Sequence, residues 1–228
     1  MIFEQLFDTK SSTYTYIISS GKGREALIID PVIENTNEYI KVLKNLNLKL
    51  VKVIDTHIHA DHISGLNELS KRTQCCKIMG ERSSSEVLDI RVKDNEKIKI
   101  ENIELTSIYT PGHTNCSYSF LMNDRVFTGD TLLINATGRT DFQSGNSHDA
   151  YDSLFNKLLK LPEKTLVYPA HDYNGKKYST IENEKNNNPR LQVKSAEEYA
   201  EIMDNLNLEN PKMMNIAVPA NIKGFTLD

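Results

Sequence analysis

The chain has 228 residues, 39% hydrophobic and 25% charged, enough for a sizeable buried core without disulfide or metal staples. Its net charge of −4, with Lys and Arg scattered along the chain, excludes a basic nucleic-acid-binding stripe, and no run approaches the roughly 20 apolar residues of a membrane span. The three cysteines, Cys75, Cys76 and Cys116, are odd in number and two are adjacent, which excludes a disulfide framework and points to a reducing, cytoplasmic setting.

The first eight residues carry Glu4 and no basic stretch, and read as a strand and not a signal peptide. Residues 14–19 and 26–29 are β-branched and apolar, with Ser20-Gly21-Lys22-Gly23 as the turn between them and Asp30-Pro31 ending the second run. Residues 38–48 place Tyr39, Val42, Leu43 and Leu46 at helical spacing, and 50–54 form a short apolar strand. A short helix is expected over 63–69. Strands follow at 97–100, 103–109, 117–122 and 126–128, with Asn123-Asp124 as a turn. Residues 149–159 form an amphipathic helix with Leu154, Phe155, Leu158 and Leu159 on one side, closed by Pro162. A strand at 166–168 precedes helices at 180–188 and 195–206, and Val218-Pro219-Ala220-Asn221 reads as loop. With no repeat and no Gly/Ser linker, the expectation is a single α/β domain over 1–228, its mixed or antiparallel sheets covered by helices.

The chemistry is concentrated in Thr56-His57-Ile58-His59-Ala60-Asp61-His62, which follows the strand at 50–54. Three imidazoles and a carboxylate at that density are ligands for zinc, iron or manganese, at the end of a strand where α/β sheets bind their ligands. His113 follows a strand through Thr110-Pro111-Gly112, Asp130 follows one through Gly129, and His171 follows one through Pro169-Ala170. Five of the six histidines therefore occupy this set, and only His148, at a helix start, is left over. Any one of them alone reads equally as an ordinary surface or core group. Asp55 and Asp172 flank the candidates, either accepting the other ring N–H of an imidazole or capping turns.

These motifs in this order, His57-x-His59-x-Asp61-His62, Thr110-Pro111-Gly112-His113-Thr114, Phe127-Thr128-Gly129-Asp130 and Ala170-His171-Asp172, resemble the metallo-β-lactamase superfamily. The resemblance implies an αββα sandwich with a metal site at the shared edge of two sheets. Within the superfamily the chain resembles the glutathione persulfide dioxygenases most. The stretches that carry this are Phe127-Thr128-Gly129-Asp130-Thr131-Leu132-Leu133-Ile134, Gly138-Arg139-Thr140-Asp141-Phe142-Gln143, Tyr168-Pro169-Ala170-His171-Asp172-Tyr173, Asn188-Pro189-Arg190-Leu191 and Val218-Pro219-Ala220-Asn221.

That family implies one Fe(II) per chain held by His57, His113 and Asp130, with His59, Asp61, His62 and His171 shaping the pocket; zinc accepts the same ligands. The implied reaction is oxidation of glutathione persulfide by O2 and water to sulfite and glutathione. Arg190 is the candidate for a glutathione carboxylate and Tyr173 for a nearby hydrogen bond, while Arg139 and Asp141 form a supporting ion pair. The resemblance also implies a homodimer and a separate sulfurtransferase as sulfur donor. The metal motif leaves open a glyoxalase II-like hydroxyacylglutathione hydrolase, in which all seven residues hold two metals and Asp130 bridges them. One departure is Cys116, where the family often has glycine; it is either a small buried hydrophobe or a reactive thiol.

Overall fold

The computed structural model describes residues 1–227. Strand β1 (Ile2–Asp8) lies antiparallel to β2 (Thr13–Ser19), every residue of which is buried, as expected of a strand covered on both faces. β3 (Glu25–Ile29) continues the antiparallel run. Helix α1 (Thr36–Asn45) then crosses over to β4 (Lys49–Ile54), which pairs parallel with β3, and α2 (Leu66–Thr73) leads to β5 (Cys76–Gly80), parallel to β4. β6 (Ile90–Val92) closes this six-stranded sheet, ordered β1 to β6.

The second sheet begins with the meander β7 (Lys97–Ile100), β8 (Ile103–Tyr109), β9 (Tyr118–Leu121) and β10 (Arg125–Gly129). A two-strand hairpin, β11 (Leu132–Leu133) and β12 (Ala136–Thr137), and helix α3 (Ser147–Asp152) separate β10 from its parallel neighbour β13 (Leu166–Pro169). β14 (Ser179–Thr180) completes the order β14-β13-β10-β9-β8-β7. Helices α4 (Ile181–Asn187), α5 (Ala196–Asp204) and α6 (Met214–Lys223) follow.

The period of two along the strands decides which side chain faces which layer. Tyr16, Ile18, Leu27 and Ile29 point between the sheets, where they meet Phe120, Phe127 and Tyr168. Ile17 and Ile28 point the other way, under Tyr39 and Leu43 of α1 and Leu69 of α2. On the far side, Val126 and Val167 are covered by Leu154, Leu158, Ile181 and Tyr199. The layers are helix, sheet, sheet, helix, as the resemblance implied. Truncating a rod of this core such as Phe127, 1% exposed, to alanine removes about 3–5 kcal/mol. Among the described residues no helix is long and apolar enough to cross a membrane.

Three local readings change. Residues 214–223, expected as loop at their centre, are helical despite Pro219. Ala217 is fully buried and Val218 and Ile222 pack on the cluster under the first sheet, so tertiary contacts override the local penalty of proline. The helix expected over 149–159 is regular only over α3, then loosens into a π turn at Ser153–Lys157 and a 3-10 turn at Leu158–Lys160. Strands β5 and β6, which the sequence pattern left unassigned, extend the first sheet beyond β4, with β6 at its edge.

Candidate metal centre

The chemistry-bearing loops leave the same end of both sheets. Asp30 follows β3, the histidine loop follows β4, Asp130 follows β10 and His171 follows β13, all at the C-terminal ends of strands in parallel pairs. His113 sits in the β8–β9 connection, where Gly112 takes φ of 138° and a Cβ would lie 2.3 Å from Ala150 Cα, so only glycine lets the loop approach α3. The two sheets are stitched together at this edge by Tyr14 N, which donates to Ala170 O at 2.7 Å, while Ala170 N donates to Gly129 O of its own sheet at 3.0 Å.

His57, His113 and Asp130 each offer one ligand atom, and the three atoms lie within 4.8 Å of one another. His59, Asp61 and His62 form a second such group beside them. The imidazoles are oriented from behind. His113 Nδ1 donates to Arg139 O at 2.8 Å, which leaves its Nε2 as a free lone pair 3.5 Å from Asp130 Oδ2. Thr56 Oγ1 donates to Asp30 Oδ2 at 3.0 Å, so it accepts from His57 Nδ1, also at 3.0 Å, and His57 likewise keeps Nε2 free. Asp30 Oδ1 accepts from Thr56 N at 2.7 Å and from His59 Nε2 at 3.2 Å.

His171 bridges the two groups. Its Nδ1 donates to Asp130 Oδ1 at 2.7 Å and its Nε2 to Asp61 Oδ2 at 2.8 Å, with Thr13 Oγ1 3.1 Å from the same Nε2. Burial pushes the pKa of His171 down, but the two carboxylates outweigh it and hold the ring cationic. Burial also opposes ionisation of Asp130, yet the positive His171 beside it pulls its pKa far below the usual carboxylate range. His57 is pushed well down by burial, then by the charge on His59, and stays neutral as a metal ligand must. His59 moves the other way, up to about 9, because Asp30 outweighs the burial that would lower it. Two neutral imidazoles with free Nε2 atoms and one anionic carboxylate, so closely spaced, fit a divalent ion of the first transition row. Two further buried nitrogens, His59 Nδ1 and His62 Nε2, have no protein partner.

The profile of the Metallo-beta-lactamase superfamily matches residues 8–171, which span this whole constellation. The chain belongs to the metallo-β-lactamase superfamily. Within it, the chain is 42% identical over 225 residues to "Persulfide dioxygenase ETHE1, mitochondrial" of Mus musculus, covering 98% of this chain and 88% of that protein. The crystal structure of ETHE1 from Myxococcus xanthus superposes with a TM-score of 0.94 at 46% identity, covering 97% of this chain and 98% of that one. The hydroxyacylglutathione hydrolase of Dictyostelium discoideum is 31% identical over 187 residues, 76% of this chain and 68% of that protein. The persulfide dioxygenases therefore share both more residues and more of the chain.

The structure draws the superfamily's seven candidate residues to one sheet edge and gives the flanking residues different parts. Arg139 and Asp141 form a two-pronged ion pair at 2.6 Å on both prongs, and the carbonyl of that same Arg139 orients His113. Asp172 does not orient an imidazole. Its Oδ2 accepts from Asn174 N and Lys176 N, each at 2.8 Å, and so caps the following turn. Asp55 does not hold an imidazole either; its Oδ1 has no partner, and burial raises its pKa to about 7, with Asp30 adding to the rise and His59 opposing it.

The residue that does the orienting is Asp30, which the sequence showed only as a strand stop before Pro31. The available signal was its position, the C-terminal end of a strand in a chain whose other chemistry sits at such ends. Thr13 was missed as well, since nothing in its own neighbourhood marks it. Arg190 is half-buried, donates to Thr137 O, and has no acidic partner within salt-bridge distance among the described residues. Tyr173 is 72% exposed, its ring parallel to that of His171 with centroids 6.3 Å apart. Cys116 is a buried hydrophobe: Ile58 N donates to its Sγ, burial raises the thiol pKa, and its backbone needs no positive φ.

Proposed function

We propose that this protein is an iron(II)-dependent persulfide dioxygenase that acts on glutathione persulfide. One persulfide, one O2 and one water give glutathione, sulfite and two protons, with the terminal sulfur oxidised and dioxygen reduced. The observation that carries the reading is the two-histidine, one-carboxylate group of His57, His113 and Asp130 in a chain that matches persulfide dioxygenases over 98% of its length. These three residues would hold the metal, and a ligand set of this kind leaves positions for both dioxygen and a sulfur ligand. Bound there, iron(II) would supply the one-electron redox chemistry that lets dioxygen react, which no side chain of the protein offers, while the electrons that reduce dioxygen come from the terminal sulfur.

The chain's own residues do the rest. Thr56 and the Arg139 carbonyl fix the tautomers of His57 and His113, and His171 holds Asp130 anionic and in place. Arg190, desolvated and without an acidic partner, is the group for a glutathione carboxylate, where a planar guanidinium binds two oxygens at once. Tyr173 stands at the rim as a hydrogen-bond donor. The same reading carries a homodimer and a separate sulfurtransferase as the source of the persulfide.

One observation favours a second reading, a hydroxyacylglutathione hydrolase with two metals: His59, Asp61 and His62 form their own ligand-spaced group. Metal analysis of protein purified without added metal separates the two. One iron per chain with no hydrolysis of lactoylglutathione is expected. Two metals per chain with rapid thioester hydrolysis would replace the dioxygenase with the hydrolase.

A further inference from the structure

The histidine loop between β4 and α2 has no regular hydrogen bonding of its own, so its buried carbonyls need donors from elsewhere. Asn221 supplies them. Its Nδ2 donates to His59 O at 2.9 Å and to His62 O at 3.0 Å, and its Oδ1 accepts from Ser64 N at 2.8 Å. No other donor reaches either carbonyl among the described residues. One side chain thus spans the loop that carries His57, His59, Asp61 and His62, using both of its N–H donors and one of the two lone pairs on its carbonyl oxygen.

Asn221 lies on α6, outside the 8–171 stretch shared with the superfamily at large. The helix is docked independently of it: Asn67 Nδ2 donates to Gly224 O at 2.9 Å, Glu86 N donates to Ile222 O at 2.8 Å, and Val218 and Ile222 pack on the apolar cluster beneath. A rigidly seated helix presenting one amide to two ligand-loop carbonyls is the geometry of a clamp.

We propose that Asn221 is a positioning residue that couples α6 to the metal centre, fixing the histidine loop in its ligand-presenting shape. The inference rests on the metal centre proposed above and not on persulfide oxidation. Asn221→Asp is the sharp variant. It keeps the shape and the acceptor for Ser64 N, but sets an anionic oxygen against two carbonyl oxygens. Loss of an outer partner of this kind weakens metal holding by about 10- to 100-fold.

The test uses the full chain loaded with cobalt(II). Its readouts are the rate of metal loss to a chelator and the EPR spectrum of the bound ion. Asn221→Asp and Asn221→Ala should both release cobalt faster by about that factor and show an altered spectrum. Asn67→Ala, which removes one of the helix's docking contacts and leaves the Asn221 amide on the loop carbonyls, should release cobalt more slowly than either Asn221 variant. Wild-type behaviour in both Asn221 variants, or equal loss in Asn67→Ala, would overturn the clamp. A wild type that takes up no cobalt would instead overturn the metal centre itself. Should both Asn221 variants fail to fold, linkage offers the same test on the wild type: cobalt should slow hydrogen exchange in the backbone of 214–223, and exchange there indifferent to metal would refute the coupling.

Discussion

Gly138→Ala is a one-carbon perturbation aimed at the metal centre from a residue that makes no ligand bond. Gly138 has no positive φ, so alanine is conformationally acceptable there and only space is in question. A Cβ at this position would lie 2.0 Å from Asp130 O, 3.0 Å from Asp130 C and 3.0 Å from His113 Cγ. An ordinary carbon–oxygen contact is well over 3 Å, so the Asp130 backbone or the β12 end must move by about 1 Å. Overpacking of this kind costs about 1–3 kcal/mol. For a chain of this size that lowers the melting temperature by roughly 2–12 °C. The metal responds more steeply, because ligand distances tolerate only about 0.2 Å, and the shift falls on two of the three ligands at once. Iron content by elemental analysis should therefore collapse while the fold persists. Gly21→Ala is the control, since its Cβ would meet nothing closer than Arg24 Cγ at 3.9 Å. A Gly138→Ala protein with wild-type melting temperature and a full iron complement would refute the packing argument.

Other substitutions probe the site directly. His113→Ala or Asp130→Ala should lose iron and turnover together; normal iron content in either would remove that residue from the ligand set. Arg190→Ala should raise KM for glutathione persulfide by about 10-fold or more with little change in kcat, the pattern of a contact made equally in ground and transition states. An unchanged KM takes Arg190 out of the substrate site. The pH dependence of the metal-free protein follows from His59. Burial alone would lower its pKa, but Asp30 raises it from 6.5 to about 9, so the stabilisation is complete below pH 6.5 and is lost as pH rises through 9. His171 shifts in the same direction. The melting temperature of the metal-free chain should fall between pH 6.5 and 9, and a flat or rising profile would contradict the Asp30–His59 contact.

The convergence of the candidate residues was legible because each sits just past a strand, with glycine or proline shaping the turn, and strand ends in one sheet converge. What could not be read was the support behind it. Asp30 contacts Thr56 and His59, 26 and 29 residues away, and its neighbours in the chain carry no histidine motif. Thr13 meets His171 across 158 positions through a bridge between the two sheets. Asp172 looked like a partner for His171 because it adjoins it, yet neighbours in an extended chain point apart, and its carboxylate turned to the backbone amides ahead. Pro219 argued for a loop on local grounds, and the burial of Ala217, Val218 and Ile222 outweighed it.

If His57, His113 and Asp130 hold an iron that oxidises a persulfide, oxygen uptake and sulfite formation must match in stoichiometry. An oxygen electrode and a sulfite assay on iron(II)-loaded protein with glutathione persulfide test it most directly. One O2 should be consumed and one sulfite formed per persulfide, with neither in the Asp130→Ala variant. Fully iron-loaded protein that leaves both oxygen and persulfide untouched would contradict it.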